Sequence, residues 1–126
     1  MAIQRVNVDE LGRLPAFSHA SIVGKQVFVA GTIGAAPGSL DLVPGGIGPE
    51  TRQVLENIER VLNTCGCGLA DVAIVHVYIT DMDNFSAMNE AYVDVMGDDP
   101  PARITVGCAE LAIGALVEMD CVAFIP

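Results

Sequence analysis

Of all the side chains in this sequence, Arg103 is the one its neighbours best prepare to bind an anion. It follows the rigid stretch Pro100-Pro101-Ala102 and opens a run, Ile104-Thr105-Val106-Gly107, of strand character. A guanidinium fixed at a strand start presents a planar fork that meets a carboxylate with two parallel hydrogen bonds. Its alternative use is an ion pair with Glu118 or Asp120, and the residues alone leave both open. Glu118 is a carboxylate inside the apolar run from Val117 to Ile125. It could hold or activate a water, sit solvated at an edge, or serve as the structural partner of Arg103. His76, between Val75 and Val77, reads as a hydrogen-bonded strand histidine rather than a catalyst. His19 beside Ser18 lies near a predicted turn, without the carboxylate spacing of a triad. Cys65-Gly66-Cys67 is C-x-C, and neither histidine follows at zinc-finger spacing. Cys65, Cys67, Cys108 and Cys121 therefore read as free, buried thiols, and no metal site is expected. No Walker loop, G-x-G-x-x-G, H-E-x-x-H or G-x-S-x-G occurs.

The elements that must position these groups follow from local pattern. Ser21-Ile22-Val23 and Gln26 to Gly31 flank Gly24-Lys25, a two-residue connection suited to a II′ hairpin. Gly34 to Gly48 carries five glycines and two prolines, so it reads as a long loop of the kind that is often functional. Pro49 suits the first position of a helix, with Glu50 in its first turn. Val54, Ile58, Val61 and Cys65 form that helix's apolar stripe, flanked by Leu55 and Leu62, and Gly66 ends it. Val72 to Ile79 is a strand. A second helix begins near Asp83 or Asn84, carries Phe85, Met88, Tyr92 and Val95 on one face, and stops before Gly97. Strands at Arg103 to Cys108 and Val117 to Ile125 follow, joined through Gly114. In the last, apolar residues alternate with Glu118 and Asp120, which places the carboxylates on one face. The order β-β-β-α-β-α-β-β predicts an α+β fold in two layers, a mixed sheet with both helices on one face.

The chain has 126 residues, enough for a single domain spanning residues 1–126. A net charge of −10 and a pI near 4.2 argue against binding nucleic acid, which relies on cations that release phosphate counterions. The apolar share is 52% with a mean hydropathy of +0.49, yet no run approaches the roughly 18–20 apolar residues of a membrane span. No apolar h-region follows Met1, so the reading is of a cytoplasmic chain without a secretory signal. An excess of apolar residues in a small domain predicts that part of its surface is hidden in a homo-oligomer.

Taken in order, Pro15-Ala16-Phe17-Ser18-His19-Ala20, Val27 to Gly31, Glu50 to Leu62, Val77 to Met82, Phe85 to Asn89, Pro101-Ala102-Arg103 and Gly114 to Asp120 resemble the Rid (reactive intermediate deaminase, YjgF-like) family. The resemblance covers essentially the whole chain. It implies a chorismate-mutase-like fold, a homotrimer with clefts at subunit interfaces, and hydrolysis of 2-imino and enamine acids such as 2-aminoacrylate and 2-iminobutanoate to 2-oxo acids and ammonia. The implied partner is a small anionic imino-acid substrate, and the family uses neither cofactor nor metal. By the same resemblance Arg103 pairs with the substrate carboxylate, Glu118 orients the attacking water, and Gly31 lies where backbone approaches the ligand closely. Thr105 falls where many members have cysteine. Phe17 replaces a tyrosine and His19 a glutamine, so a phenolic hydrogen bond is missing. The alternatives are a specialised deaminase of an aminomuconate-like intermediate, a non-catalytic trimer that binds a small carboxylate, and an endoribonuclease or translation inhibitor.

Overall fold

Burial that alternates along the strands, as in Val117 to Ala123 and Ala20 to Val23, gives this chain a sheet whose two sides differ. The computed structural model describes residues 2–126. Its elements run β1 (Gln4–Val6), β2 (Ala20–Val23), β3 (Gln26–Ile33), α1 (Ile47–Thr64), β4 (Val72–Ile79), α2 (Phe85–Met96), β5 (Ala102–Gly107) and β6 (Val117–Phe124). Single 3-10 turns occur at 69–71, 82–84 and 112–114. The predicted order of strands and helices is met, and α1 and α2 lie together against one side of the sheet.

The six strands line up as β1-β2-β3-β6-β4-β5. Strands β4 and β5, joined through α2, pair in parallel as expected. Strands β3 and β4, joined through α1, do not touch. The last strand, β6, inserts between them, antiparallel to both. Its helix-side residues explain that central place: Val117, Met119, Cys121 and Ala123 are all buried, so β6 belongs where both neighbours and the helices can cover it. Between helices and sheet lie Leu55, Ile58, Leu62 and Met88 from α1 and α2, facing Val27, Val75, Val77 and Met119.

Local chemistry accounts for the element ends. Gly24 has φ 61°, the positive φ that the first position of a II′ turn requires, and Val23 pairs with Gln26 across it. Helix α1 starts at Ile47, two residues before the predicted Pro49. Proline is tolerated there because the first four N–H groups of a helix have no intrahelical partner. Gly66, at φ 90°, ends α1. The predicted Asp83/Asn84 cap is displaced: the Asp81 carboxylate accepts the Asp83 N–H at 2.9 Å and nucleates the 3-10 turn that leads into α2.

The sheet's other side is left bare. Phe28, Ile104, Val106 and Phe124 are exposed there. Amid them Asp120 accepts from Tyr78 Oη at 3.2 Å and sits 2.5 Å from His76 Nδ1. None of the helices among the described residues is long and apolar enough to cross a membrane.

Candidate functional site

Arg103 lies on the helix side of β5, next to Val75 of β4. Its guanidinium is stacked 4.8 Å from the ring centroid of Tyr92 and 5.8 Å from that of Phe85, both on α2. Stacking orients the fork and shields one of its faces from water. Among the described residues Arg103 makes no ion pair, so the structural pairing with Glu118 or Asp120 is absent. The reason is topological. Arg103 is in register with Val75 and through it with Cys121, three residues from Glu118 along β6. Two strand spacings and three residues of rise separate the two backbones by about 14 Å. They also face opposite sides, since Val117 and Met119 point to the helices and Glu118 does not. Thr105, on the same side as Arg103, has its Oγ1 buried without a hydrogen-bond partner, as does the Tyr92 hydroxyl. A guanidinium free of carboxylates beside two unmatched hydroxyls can accept an oxygen-rich anion.

Glu118 is placed by a defect in the sheet. From Val29 to Thr32 strand β3 advances three residues while β6 advances two, from Cys121 to Met119, so β3 carries a bulge at Ala30-Gly31. The bulge brings Gly31 against the Glu118 carboxylate, where a Cβ would collide with Oε2. The missing side chain thus makes room first for Glu118 itself. Burial, then the negative charge of Asp120, push the Glu118 carboxyl above the usual carboxylate range. A carboxyl so tuned can take and return a proton closer to neutrality than an ordinary glutamate. Asp120 is engaged by His76 and Tyr78. Its charge, burial, their hydrogen bond and Glu118 together raise the Tyr78 phenol.

At the bulged end of β3 a cavity of about 220 Å³ opens beside Glu118. Leu11, Leu14, Phe17, Ile33, Leu40 and Ile113 are among its walls. Phe17 is half-exposed on it, edge-on to His19 at 6.3 Å. His19 is buried and serves the fold. Its Nδ1 accepts the Val8 N–H at 2.9 Å and its Nε2 lies 3.0 Å from the Gly12 carbonyl, which pins the segment that carries Phe17. Asn57 of α1, absent from the residues that sequence reasoning singles out, holds the opposite wall. Its Nδ2 donates to the Ile33 and Ala35 carbonyls at 3.3 and 2.9 Å. A signal exists: Asn57 is three residues after Val54 and four before Val61, on the buried stripe of α1, where a polar group must find partners. Glu50, expected in the first turn of α1 as a partner of the helix dipole, is buried as well. Its Oε1 accepts the Leu116 N–H at 3.0 Å, tying α1 to the approach to β6.

The cysteines are free as expected, but only Cys65 and Cys121 are buried; Cys67 and Cys108 are partly exposed, lying just beyond the ends of α1 and β5. Burial, with the charges of Asp120 and Cys67, pushes the Cys121 thiol up to about 12, and burial raises Cys65 and Cys67 too. None of these three is a ready thiolate nucleophile.

Comparison with known proteins gives a consistent picture. The family model described as Endoribonuclease L-PSP matches residues 9–125. A RutC family protein of Pyrococcus horikoshii is 40% identical over 108 residues, covering 86% of this chain and 86% of the relative. The 2-iminobutanoate/2-iminopropanoate deaminase of Rattus norvegicus is 34% identical over 108 residues, covering 86% of this chain and 79% of its own. Among solved structures, RidA from an Antarctic Psychrobacter superimposes with a TM-score of 0.91 at 31% identity, covering 97% of this chain and 99% of that one.

Proposed function

The chain belongs to the endoribonuclease L-PSP (YjgF/RidA) family, and from that premise we propose that it hydrolyses small 2-imino acids and their enamine tautomers to 2-oxo acids and ammonia. The observation that carries the reading is Arg103: a guanidinium held over the Tyr92 ring, unpaired with any carboxylate among the described residues, with the unmatched Thr105 hydroxyl on the same side. The deaminase name of several relatives at 32–35% identity supports it.

Arg103 and Glu118 cannot reach one small substrate within a single chain. The site is therefore composite, with Glu118, Gly31 and Phe17 of one copy facing Arg103 and Thr105 of a second. A heterologous contact closes into a ring when the rotation between copies divides a full turn, and we take that ring to be a trimer whose interfaces also cover the bare apolar side of the sheet.

Arg103 holds the substrate carboxylate, and Glu118 accepts a hydrogen bond from a water set against the imine carbon. Water attacks that carbon as the C=N electron pair moves to the protonated nitrogen. Glu118 takes the water's first proton and returns it to nitrogen; the C–N bond then breaks and ammonia leaves with its electron pair, while the remaining hydroxyl proton passes to Glu118 as the C=O forms. An iminium carbon is already electrophilic, so positioning supplies most of what the reaction needs. The raised Glu118 carboxyl suits this proton transfer.

The name endoribonuclease suggests a second activity. A charge of −10, with six Lys and Arg in the whole chain, disfavours it, because RNA affinity rests heavily on phosphate contacts. The test generates 2-iminobutanoate with an amino-acid oxidase, traps it with semicarbazide, and follows loss of semicarbazone as protein is added. Suppression by the wild type that vanishes in Arg103→Ala is expected. Full activity in that variant overturns the assignment.

A further inference from the structure

The cavity beside Glu118 has walls that choose among substrates. We propose that it receives the side chain of the imino acid and that this protein prefers imines with bulky apolar side chains, of isobutyl or benzyl size, over the alanine-type methyl imine. The inference rests on the imine-hydrolase reading and adds the substrate class.

Three observations carry it. The first is position, since Glu118 and Gly31 themselves line the cavity. A substrate whose imine carbon faces the Glu118-held water has this space as the nearest place for its side chain. The second is size. The volume is about 220 Å³, whereas an apolar cavity of about 150 Å³ is enough to bind benzene. A benzyl or isobutyl group fits, and a methyl group leaves most of the space unfilled.

The third is chemistry. Leu11, Leu14, Phe17, Ile33, Leu40 and Val61 supply apolar wall. The buried polar residues of the lining are already engaged. His19 spends one ring nitrogen on the Val8 N–H and the other on the Gly12 carbonyl. Asn57 spends its amide on the Ile33 and Ala35 carbonyls and accepts from Gln53 Nε2 at 2.9 Å. A charged or hydroxylated side chain would lose its water there and find few partners in return. A carboxylate side chain would in addition approach Glu118.

The expected magnitude follows from burial. Each methylene transferred from water gains a factor of about four in binding, so extending methyl to isobutyl raises kcat/KM by about sixtyfold if the gain is realised in the transition state.

The experiment measures kcat/KM for the imines of alanine, 2-aminobutyrate, norvaline, leucine, phenylalanine and aspartate, formed in situ by amino-acid oxidases, with the assembled wild-type protein and with Ala112→Phe. Ala112 lines the cavity and is exposed, so the larger ring fills space without disturbing the core. A rise of tenfold or more from the alanine to the leucine imine, the aspartate imine among the poorest, and a leucine-to-alanine ratio at least tenfold lower in Ala112→Phe are expected. A flat or falling series with good turnover of the small imines overturns this inference and leaves the hydrolase reading intact. A rising series whose ratio Ala112→Phe does not change removes the side chain from this cavity and also overturns it. No turnover of any imine overturns both.

Discussion

Gly31→Ala probes the position of Glu118 without altering a charged group. The φ of Gly31 lies outside the left-handed region, so the backbone accepts alanine. The new Cβ collides with Glu118 Oε2 and lies 3.2 Å from its Cδ and 3.7 Å from its Cγ. The obstructed atom is the tip of a flexible side chain, which relieves the clash by swinging aside by about 1 Å. A displacement of that size in a positioning group costs on the order of 100-fold in rate, or about 2.7 kcal/mol of transition-state stabilisation. The fold loses little, about 1 kcal/mol or less for a shifted rotamer. Gly34→Ala supplies the contrast. Its Cβ would lie 2.8 and 2.9 Å from the backbone O and Cα of Glu50, which cannot swing away. Overpacking against backbone costs about 1–3 kcal/mol, a melting temperature roughly 4–12 °C lower. The assay pairs kcat/KM for an imine with thermal unfolding of both variants. Gly31→Ala is expected to fold normally and turn over on the order of 100-fold more slowly. Turnover within threefold of wild type would refute the claim that Glu118 must sit where the bulge puts it.

The raised carboxyl of Glu118 has a consequence for stability. The folded chain keeps that proton to a higher pH than the unfolded chain, so stability falls as pH rises through the window above 4.5. Glu118→Gln removes this loss. It should melt above the wild type at pH 7, with the difference closing below pH 4.5, while losing imine hydrolysis; equal melting at pH 7 would contradict the burial argument. Asn57→Ala strands the Ile33 and Ala35 carbonyls and is expected to cost about 1–3 kcal/mol. A urea midpoint matching the wild type would show that the cavity wall does not depend on Asn57.

The sequence and the structure agree where periodicity is strong. The stripe Val54, Ile58 and Val61 and the alternation from Val117 to Cys121 define one helix and one strand almost to their ends, because each pattern has a single way to bury its apolar side. The insertion of β6 between β3 and β4 is not legible in the sequence. Strand order depends on which strand can be covered on both flanks, and no local window contains that information. Arg103 and Glu118 stand out as residues, but their separation does not, since it arises from β4 lying between their strands. The Gly31 bulge is equally non-local: it exists only as a mismatch of register between β3 and β6. Asn57 and Glu50 show the opposite failure. Their burial is readable from helical spacing, yet a polar residue on an apolar stripe looks like surface until the carbonyl or N–H it serves is known.

Mixing two inactive variants tests the composite site most directly. Arg103→Ala subunits retain Glu118, and Glu118→Gln subunits retain Arg103. If one site draws its two residues from neighbouring copies in a ring, random reassembly of equal amounts restores about a quarter of the sites. The account predicts imine hydrolysis near one quarter of wild type in the mixture and almost none in either variant alone. A mixture as inactive as its components, with exchange of subunits verified, would contradict it.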